Sequence, residues 1–332
     1  MTSIAVKTLL SETTSVTYTP GYEGANIGTI IGFKHVNYLV EKAVIEHFRR
    51  SGLAVGALYE STGVGFDIID VKTKLSAALL VDDDVDAVVT PTTGDSGNVA
   101  SFSVELTVQR DGAPKRAVRS KVQVQFRRDG DERRMTKRAP LPEGLDRFVV
   151  DYIGGSEPGA AITEFGAPLM SGASSDDDPV SRKLVEGRNA YAWRFKVPYP
   201  YIHFFERLQM SAYLRLMEEA KSRFVEARGC SIGGMLTERN WIPAVSANSV
   251  TIMDEVLMEE DLYIVYSVKD IFKNMLYTAT MDCYVVRDGK LVQTATGEIT
   301  HCYVMVENGK EAVMVPWDER VVTAFSSAPA QA

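Results

Sequence analysis

The chain has 332 residues, of which 45% are hydrophobic and 24% charged, and carries a formal net charge of −8. These are ordinary proportions for a globular protein with room for two domains, and the acidic balance excludes the broad basic face that a nucleic-acid binder needs. The three cysteines, Cys230, Cys283 and Cys302, show no CxxC spacing and are odd in number, which points to a reducing, cytoplasmic setting with neither a disulfide framework nor a zinc site.

The first apolar stretch (Val6, Leu9, Leu10) is too short for a signal-peptide core, and no run approaches the roughly 18 apolar residues of a membrane helix, so neither export nor a membrane partner is expected. Next, Val36, Leu39, Val40, Ala43, Val44 and Phe48 recur at three- and four-residue spacing, and Gly52 stands where a helix would stop. This predicts a helix over about 37 to 51. Phe102, Val104, Leu106 and Val108 then alternate up to Asp111-Gly112 and are followed by Val122, Val124 and Phe126, the pattern of a half-buried antiparallel hairpin.

Residues 127 to 190 change character. A basic run (Arg127, Arg128, Arg133, Arg134, Lys137, Arg138) reads as a solvated face, with a docking patch for an acidic carrier protein or a nucleotide phosphate as the alternative. Ser171 through Asp178 reads as a mobile loop. A second helix is predicted over about 207 to 228 from Met210, Tyr213, Leu214, Met217, Ala220, Phe224 and Val225, closed by Gly229. A second hairpin turns at Asp288-Gly289, a further turn at Asn308-Gly309 allows one more short strand through Val313 and Val315, and the tail from Ser326 reads as frayed.

Sliding the chain along itself by 177 positions explains this recurrence. Glu41 falls on Glu218, Ala43 on Ala220, Gly52 on Gly229, Asp84 on Asp261, and Arg110-Asp-Gly112 on Arg287-Asp-Gly289, without a gap. Residues 16 to 126 and 193 to 303 therefore read as a diverged internal repeat. The expected domains are 1–130 and 191–318, joined by a linker over 131–190 and followed by a tail over 319–332. Two copies in one chain make an intrachain pseudo-dimer, in which one functional pocket between the copies need keep its chemistry.

The segment Ala212-Tyr-Leu-Arg-Leu-Met-Glu-Glu-Ala220 with Gly229, Trp241-Ile-Pro243, Glu260-Asp261 and Arg287-Asp-Gly289 resembles the 4-hydroxybenzoyl-CoA thioesterase superfamily. So do Asn37-Tyr38-Leu39, Glu41 and Ala43. Two tandem copies are similar to plant acyl-carrier-protein thioesterases and to the double-hotdog dehydratase domains of polyketide synthases. The resemblance implies an α+β fold of tandem hotdog domains, each a long helix wrapped by an antiparallel sheet, and a substrate that is an acyl thioester of acyl carrier protein or coenzyme A. With no phosphate-binding glycine loop and no metal-binding cluster in the sequence, no cofactor and no metal are expected. Superfamily thioesterases carry a carboxylate in the loop before the helix, whereas this sequence has Asn26 in the first copy and His203 at the matched position of the second. The plant branch implies an Asn and His pair that orients and activates water, with main-chain amides near Asn37 forming an oxyanion site.

Among the four histidines, His203 is the first candidate, because imidazole exchanges protons near neutral pH and this one lies among Tyr199, Tyr201 and Phe204. His47 falls inside the helix's apolar stripe and reads as a core residue. His301, mid-strand, reads as structural or pocket-lining. His35 either bonds the first helical turn or contacts ligand. Glu41 and Glu218 stand at matched helix positions where the resemblance places carboxylates acting as base, nucleophile or acid partner of a histidine. Cys302 lacks a visible electropositive setting for a thiolate. The expected catalytic residues are His203, Glu41 and Asn26, and the expected substrate-binding residues are Asn37, His35, Tyr199, Tyr201 and Glu218. The leading function is acyl-thioester hydrolysis. A 3-hydroxyacyl-thioester dehydratase or isomerase is second, and a noncatalytic acyl-binding or cyclisation-guiding protein third. Either a monomeric pseudo-dimer or a homodimer fits.

Overall fold

The computed structural model describes residues 2–94, 97–130, 138–159, 161, 178–306 and 312–326. In chain order the elements are α1 (Ile4–Ser11), β1 (Thr14–Tyr18), α2 (Phe33–Arg50), α3 (Val55–Thr62), β2 (Val64–Leu75), β3 (Val85–Pro91), β4 (Ala100–Arg110), β5 (Ala113–Arg128) and β6 (Val149–Val150). There follow α4 (Pro179–Val185), β7 (Ala190–Lys196), β8 (Ile202–His203), β9 (Arg207–Leu208), α5 (Met210–Glu226), α6 (Ile232–Arg239), β10 (Ile242–Ile252), β11 (Asp261–Phe272), β12 (Leu276–Arg287), β13 (Lys290–Met305), β14 (Val313–Met314) and α7 (Glu319–Ser326). Two compact units result, one of Met1–Ile153 with Ile202–Ser211, the other of Gly154–Tyr201 with Ala212–Ala332.

In the first unit the antiparallel strand order is β1-β3-β4-β5-β2. Burial alternates along β4, which gives the sheet one apolar face. The stripe of α2 closes that face: Phe48 sits edge-on to Phe66, Phe102 and Phe126, with ring centroids 5.3, 5.5 and 5.7 Å away. In the second unit the order is β7-β11-β12-β13-β10, with Phe224 of α5 against Tyr266 at 5.2 Å and Phe325 at 6.0 Å. One long helix on a five-stranded antiparallel sheet, built twice, is the tandem hotdog arrangement expected from the sequence.

The repeat holds to the residue. Helices α3 and α6, strands β5 and β13, and the 3-10 turns Tyr22–Gly24 and Tyr199–Tyr201 occupy matched positions at both ends. Both long helices end on a left-handed glycine, with φ of 84° at Gly52 and 68° at Gly229. The two hairpins turn through Asp111 (51°) and Gly112 (76°), and through Asp288 (49°) and Gly289 (71°), the left-handed pair that fits the strand twist. A paired arginine also recurs. Arg110 binds Asp83 at 2.6 Å while Asp83 accepts the Leu80 N–H at 2.7 Å; Arg287 binds Glu260 at 3.0 Å while Glu260 accepts the Leu257 N–H at 2.6 Å.

Several elements carry no counterpart in the sequence reading. Helix α4 begins where the Asp178 side chain accepts the N–H groups of Val180 and Ser181, with Pro179 in its first turn. Helix α7 lies in the expected tail, anchored by buried Val321 and Phe325. Residues 171–177, the expected Asn308-Gly309 turn, and Arg133, Arg134 and Lys137 lie outside the described residues, whereas β14 pairs with β13 as the extra short strand. No helix among the described residues is long and apolar enough to cross a membrane.

Candidate active site

Strand β2 carries an acid inside an apolar run. Val64, Gly65, Phe66, Asp67 and Ile68 are all buried, and a buried carboxylate requires partners. The hairpin of β8 and β9 supplies them. His203 and Arg207 are cross-strand partners, so their side chains emerge side by side. His203 Nε2 lies 2.6 Å from Asp67 Oδ1, and Arg207 Nη2 donates to Asp67 Oδ2 at 2.9 Å. One carboxylate is thus gripped by imidazole on one oxygen and guanidinium on the other.

Local backbone explains the fit. The hairpin turn holds Phe204 and Glu206 at φ of 41° and 60°, a left-handed conformation that costs a non-glycine residue energy, and the Phe204 ring packs on Tyr59 at 4.9 Å. Gly65 leaves the space: a Cβ there would stand 2.5 Å from Arg207 Nη2. A bulge between Ile68 and Asp70 re-aims the strand just beyond Asp67. Arg207 also binds Asp129 at 2.8 Å, and the Asp129 N–H donates to the carbonyl of Gly63, at the end of α3, at 2.9 Å.

Charge follows from these contacts. Burial works to raise the Asp67 carboxyl, but His203 and Arg207 outweigh it and hold the group below the usual carboxylate range. An ionised Asp67 can only accept, so Nε2 of His203 donates to it and Nδ1 is the ring nitrogen left for proton exchange. Glu41, half-buried on α2, is pushed up by burial, with the His203 charge acting against that rise. It keeps its proton to higher pH than a solvated glutamate. The pair of oriented base and neighbouring acid can move protons to and from a bound carbonyl compound.

The structure brings His203 and Glu41 into one unit and within electrostatic reach. Asn26 lies on an exposed loop, its N–H donating to the Gly24 carbonyl at 3.2 Å. Asn37 is buried, donating to the Phe33 carbonyl at 2.8 Å and accepting from Thr73 at 2.7 Å. The nearby amides of His35 and Val36 already donate to the Gly32 carbonyl. His35 stands 3.7 Å from Glu23 and edge-on to Tyr38. Tyr199, Tyr201 and Glu218 belong to the second unit. Tyr199 is 78% exposed, Tyr201 lies 4.8 Å under the Arg215 guanidinium, and Glu218 interacts with Lys221.

The remaining candidates sort by burial. His47 is a core residue, between Thr14 Oγ1 at 2.8 Å and the Leu9 carbonyl at 2.9 Å. Burial lifts the Cys302 thiol to about 11, which leaves it inert at neutral pH. Asp67, Arg207 and Asp129 escaped the sequence reading. The one available signal was an acid within Val64-Gly-Phe-Asp-Ile-Ile69. Among the described residues no group of three acidic, histidine or cysteine side chains could hold a metal ion.

Comparison with known proteins bears on the fold. Residues 197–325, which include the His203 hairpin, match the thioesterase-like superfamily. The fold is similar to a putative oleoyl thioesterase of Lactobacillus plantarum, at 12% identity and TM-score 0.54, covering 92% of this chain and 100% of that one. It is similar to the 12:0-ACP thioesterase of Umbellularia californica, at 8% identity and TM-score 0.54, covering 88% and 97%. An acyl-ACP thioesterase of Bacteroides thetaiotaomicron matches at 8% identity and TM-score 0.52, with the same coverage. No curated protein matches the sequence. The chain has the tandem hotdog fold of these solved thioesterases, and its residues 197–325 match the thioesterase-like superfamily.

Proposed function

We propose that the protein hydrolyses acyl thioesters carried on acyl carrier protein or coenzyme A. The observation that carries this reading is the 2.6 Å contact between His203 and Asp67, on a hairpin within the span that matches the thioesterase-like superfamily. His203 Nδ1 takes a proton from water as the water oxygen bonds to the thioester carbonyl carbon. The C–S bond then breaks, and the thiolate takes the proton back from the imidazolium. Asp67 holds the ring in the required tautomer and stabilises its charged form, with Arg207 keeping Asp67 ionised. Glu41, raised by burial, donates a proton or hydrogen bond to the reacting oxygen. Three free, buried cysteines fit a reducing, cytoplasmic setting.

A second reading is favoured by the same Glu41: in a dehydratase, His203 removes the alpha proton and Glu41 protonates the departing beta hydroxyl. Incubation with acyl, 3-hydroxyacyl and enoyl thioesters, followed by mass spectrometry, separates the readings. Free thiol and acid are expected. Loss of water from the 3-hydroxyacyl substrate would replace hydrolysis by dehydration, and retained but unchanged ligand would mean acyl binding alone.

A further inference from the structure

The His203 hairpin has a second face. Its two arms carry His203 and Arg207 towards Asp67, while Phe205, at the turn between them, lines a cleft of about 500 Å³ in the same unit. Three arginines, Arg127, Arg128 and Arg138, line the rest of the cleft together with Asp129 and Asp151. Three guanidinium groups against two carboxylates leave the cleft positive in a chain whose net charge is −8.

The carboxylates do not occupy these arginines equally. Asp129 is buried and shared between Arg207 at 2.8 Å and Arg127 at 3.4 Å. Asp151 is 91% exposed in its side chain and stands 3.5 Å from Arg128, a pairing of the kind that water and salt largely screen. Arg138 donates to the Asp129 carbonyl. Arg128 and Arg138 therefore offer planar donor forks to an anion, the geometry in which guanidinium binds phosphate.

We propose that this cleft seats the phosphate of the phosphopantetheine arm that carries the acyl thioester. The proposal rests on the thioesterase reading. The carriers named there, coenzyme A and acyl carrier protein, share that phosphate, and Phe205 of the cleft lies two residues from His203 on the same hairpin. Asp129 is common to both regions, bonded to Arg127 in the cleft and to Arg207 beside Asp67.

The test compares hydrolysis of an acyl-phosphopantetheine with that of the same acyl-pantetheine, which lacks the phosphate, by wild type, Arg128→Gln and the Arg128→Gln/Arg138→Gln double variant. On wild type, loss of the phosphate should lower kcat/KM by roughly 10- to 100-fold, mainly through KM, as expected for one or two charge-assisted hydrogen bonds. In the double variant the two substrates should converge, with kcat on acyl-pantetheine unchanged. Arg128→Gln, which removes only a solvent-exposed pair, should show part of the effect with an unchanged melting temperature. Equal kcat/KM for the two substrates on wild type, or a phosphate preference that survives in the double variant, would overturn the proposal. Should no thioester be hydrolysed, the thioesterase reading fails by itself, and calorimetric binding of phosphopantetheine against pantetheine decides the cleft: tighter binding of the phosphate form by wild type alone supports it, and equal binding overturns it. Acyl-CoA and acyl-carrier-protein substrates run alongside distinguish the nucleotide carrier from the protein carrier.

Discussion

The two copies bury different groups at matched positions. In the first, α2 and β5 present Val44 and Val124, both fully buried; in the second, Lys221 and His301 stand there, 5% and 3% exposed. In the opposite sense, Asp67 and Asp129 of the first copy correspond to Ala244 and Val306 of the second, and His203 and Arg207 to Asn26 and Ile30. Polar groups have been gained or lost in sets. A buried charge without its partner costs several kcal/mol, so divergence at one member of a set constrains the others, and each set survives in one place only.

The largest effect should come from breaking the set around Asp67. Arg207→Met leaves Asp67 and Asp129 buried without their shared cation and should cost about 3–5 kcal/mol, read as a lower denaturation midpoint. Ile30→Met, at the matched position, should change stability by less than about 1 kcal/mol. If the two variants cost the same, the cluster does not distinguish the copies.

Chemistry should divide the same way. His203→Ala should reduce turnover roughly 100-fold or more while the protein stays folded, whereas Asn26→Ala should leave turnover nearly intact. Full activity in a folded His203→Ala protein would remove the residue from the mechanism and shift attention to Glu41.

The second copy's set predicts a pH dependence. Burial lowers the Lys221 ammonium to about 8, with Glu218 opposing the shift. Burial and the Lys221 charge keep His301 neutral, and its ring stacks on Tyr277 at 5.1 Å. Because the folded lysine loses its proton at lower pH than the unfolded one, the unfolded chain binds more protons between about pH 8 and 10.5, and stability rises with pH across that window. Lys221→Met should therefore exceed wild type by up to about 3 kcal/mol below pH 8, with the gap closing towards pH 10.5. Urea denaturation of both proteins across the range checks this. A constant gap would place the lysine in a solvated site.

The smallest effect concerns His47, whose matched residue is Phe224. His47→Ala should cost about 1–3 kcal/mol through a cavity and the loss of bonds to Thr14 and Leu9, with turnover of the folded fraction unchanged. An activity loss without destabilisation would reverse the assignment of core and site histidines.

Legibility in the sequence followed the range of the interaction. The two long helices, their terminal glycines and both Asp-Gly turns were legible because each is a local pattern of a few residues. Helix α7 was missed because its polar surroundings and short length hide Val321 and Phe325, and α4 because its cap, Asp178, reads as the end of an acidic loop. His203 was legible by scarcity, being one of four histidines. Its partner was not: Asp67 is 136 residues away in sequence, and only strand pairing and the hairpin turn bring the two together. The alignment of Asn26 with His203 was sound as register but silent on chemistry, since the acid opposite His203 has become Ala244 in the other copy.

The hairpin Ile202–Ser211 belongs by sequence to the second repeat and by packing to the first unit. The molecule therefore cannot be bisected where its sequence repeats. A fragment ending at residue 153 would hold Asp67 and Asp129 but neither His203 nor the Arg207 guanidinium that pairs with both carboxylates. A fragment beginning there would carry His203 with nothing to orient it. A ten-residue strap from the second repeat supplies the imidazole and the guanidinium that a buried acid of the first unit requires, so the folding of the first unit depends on residues that lie beyond the first repeat.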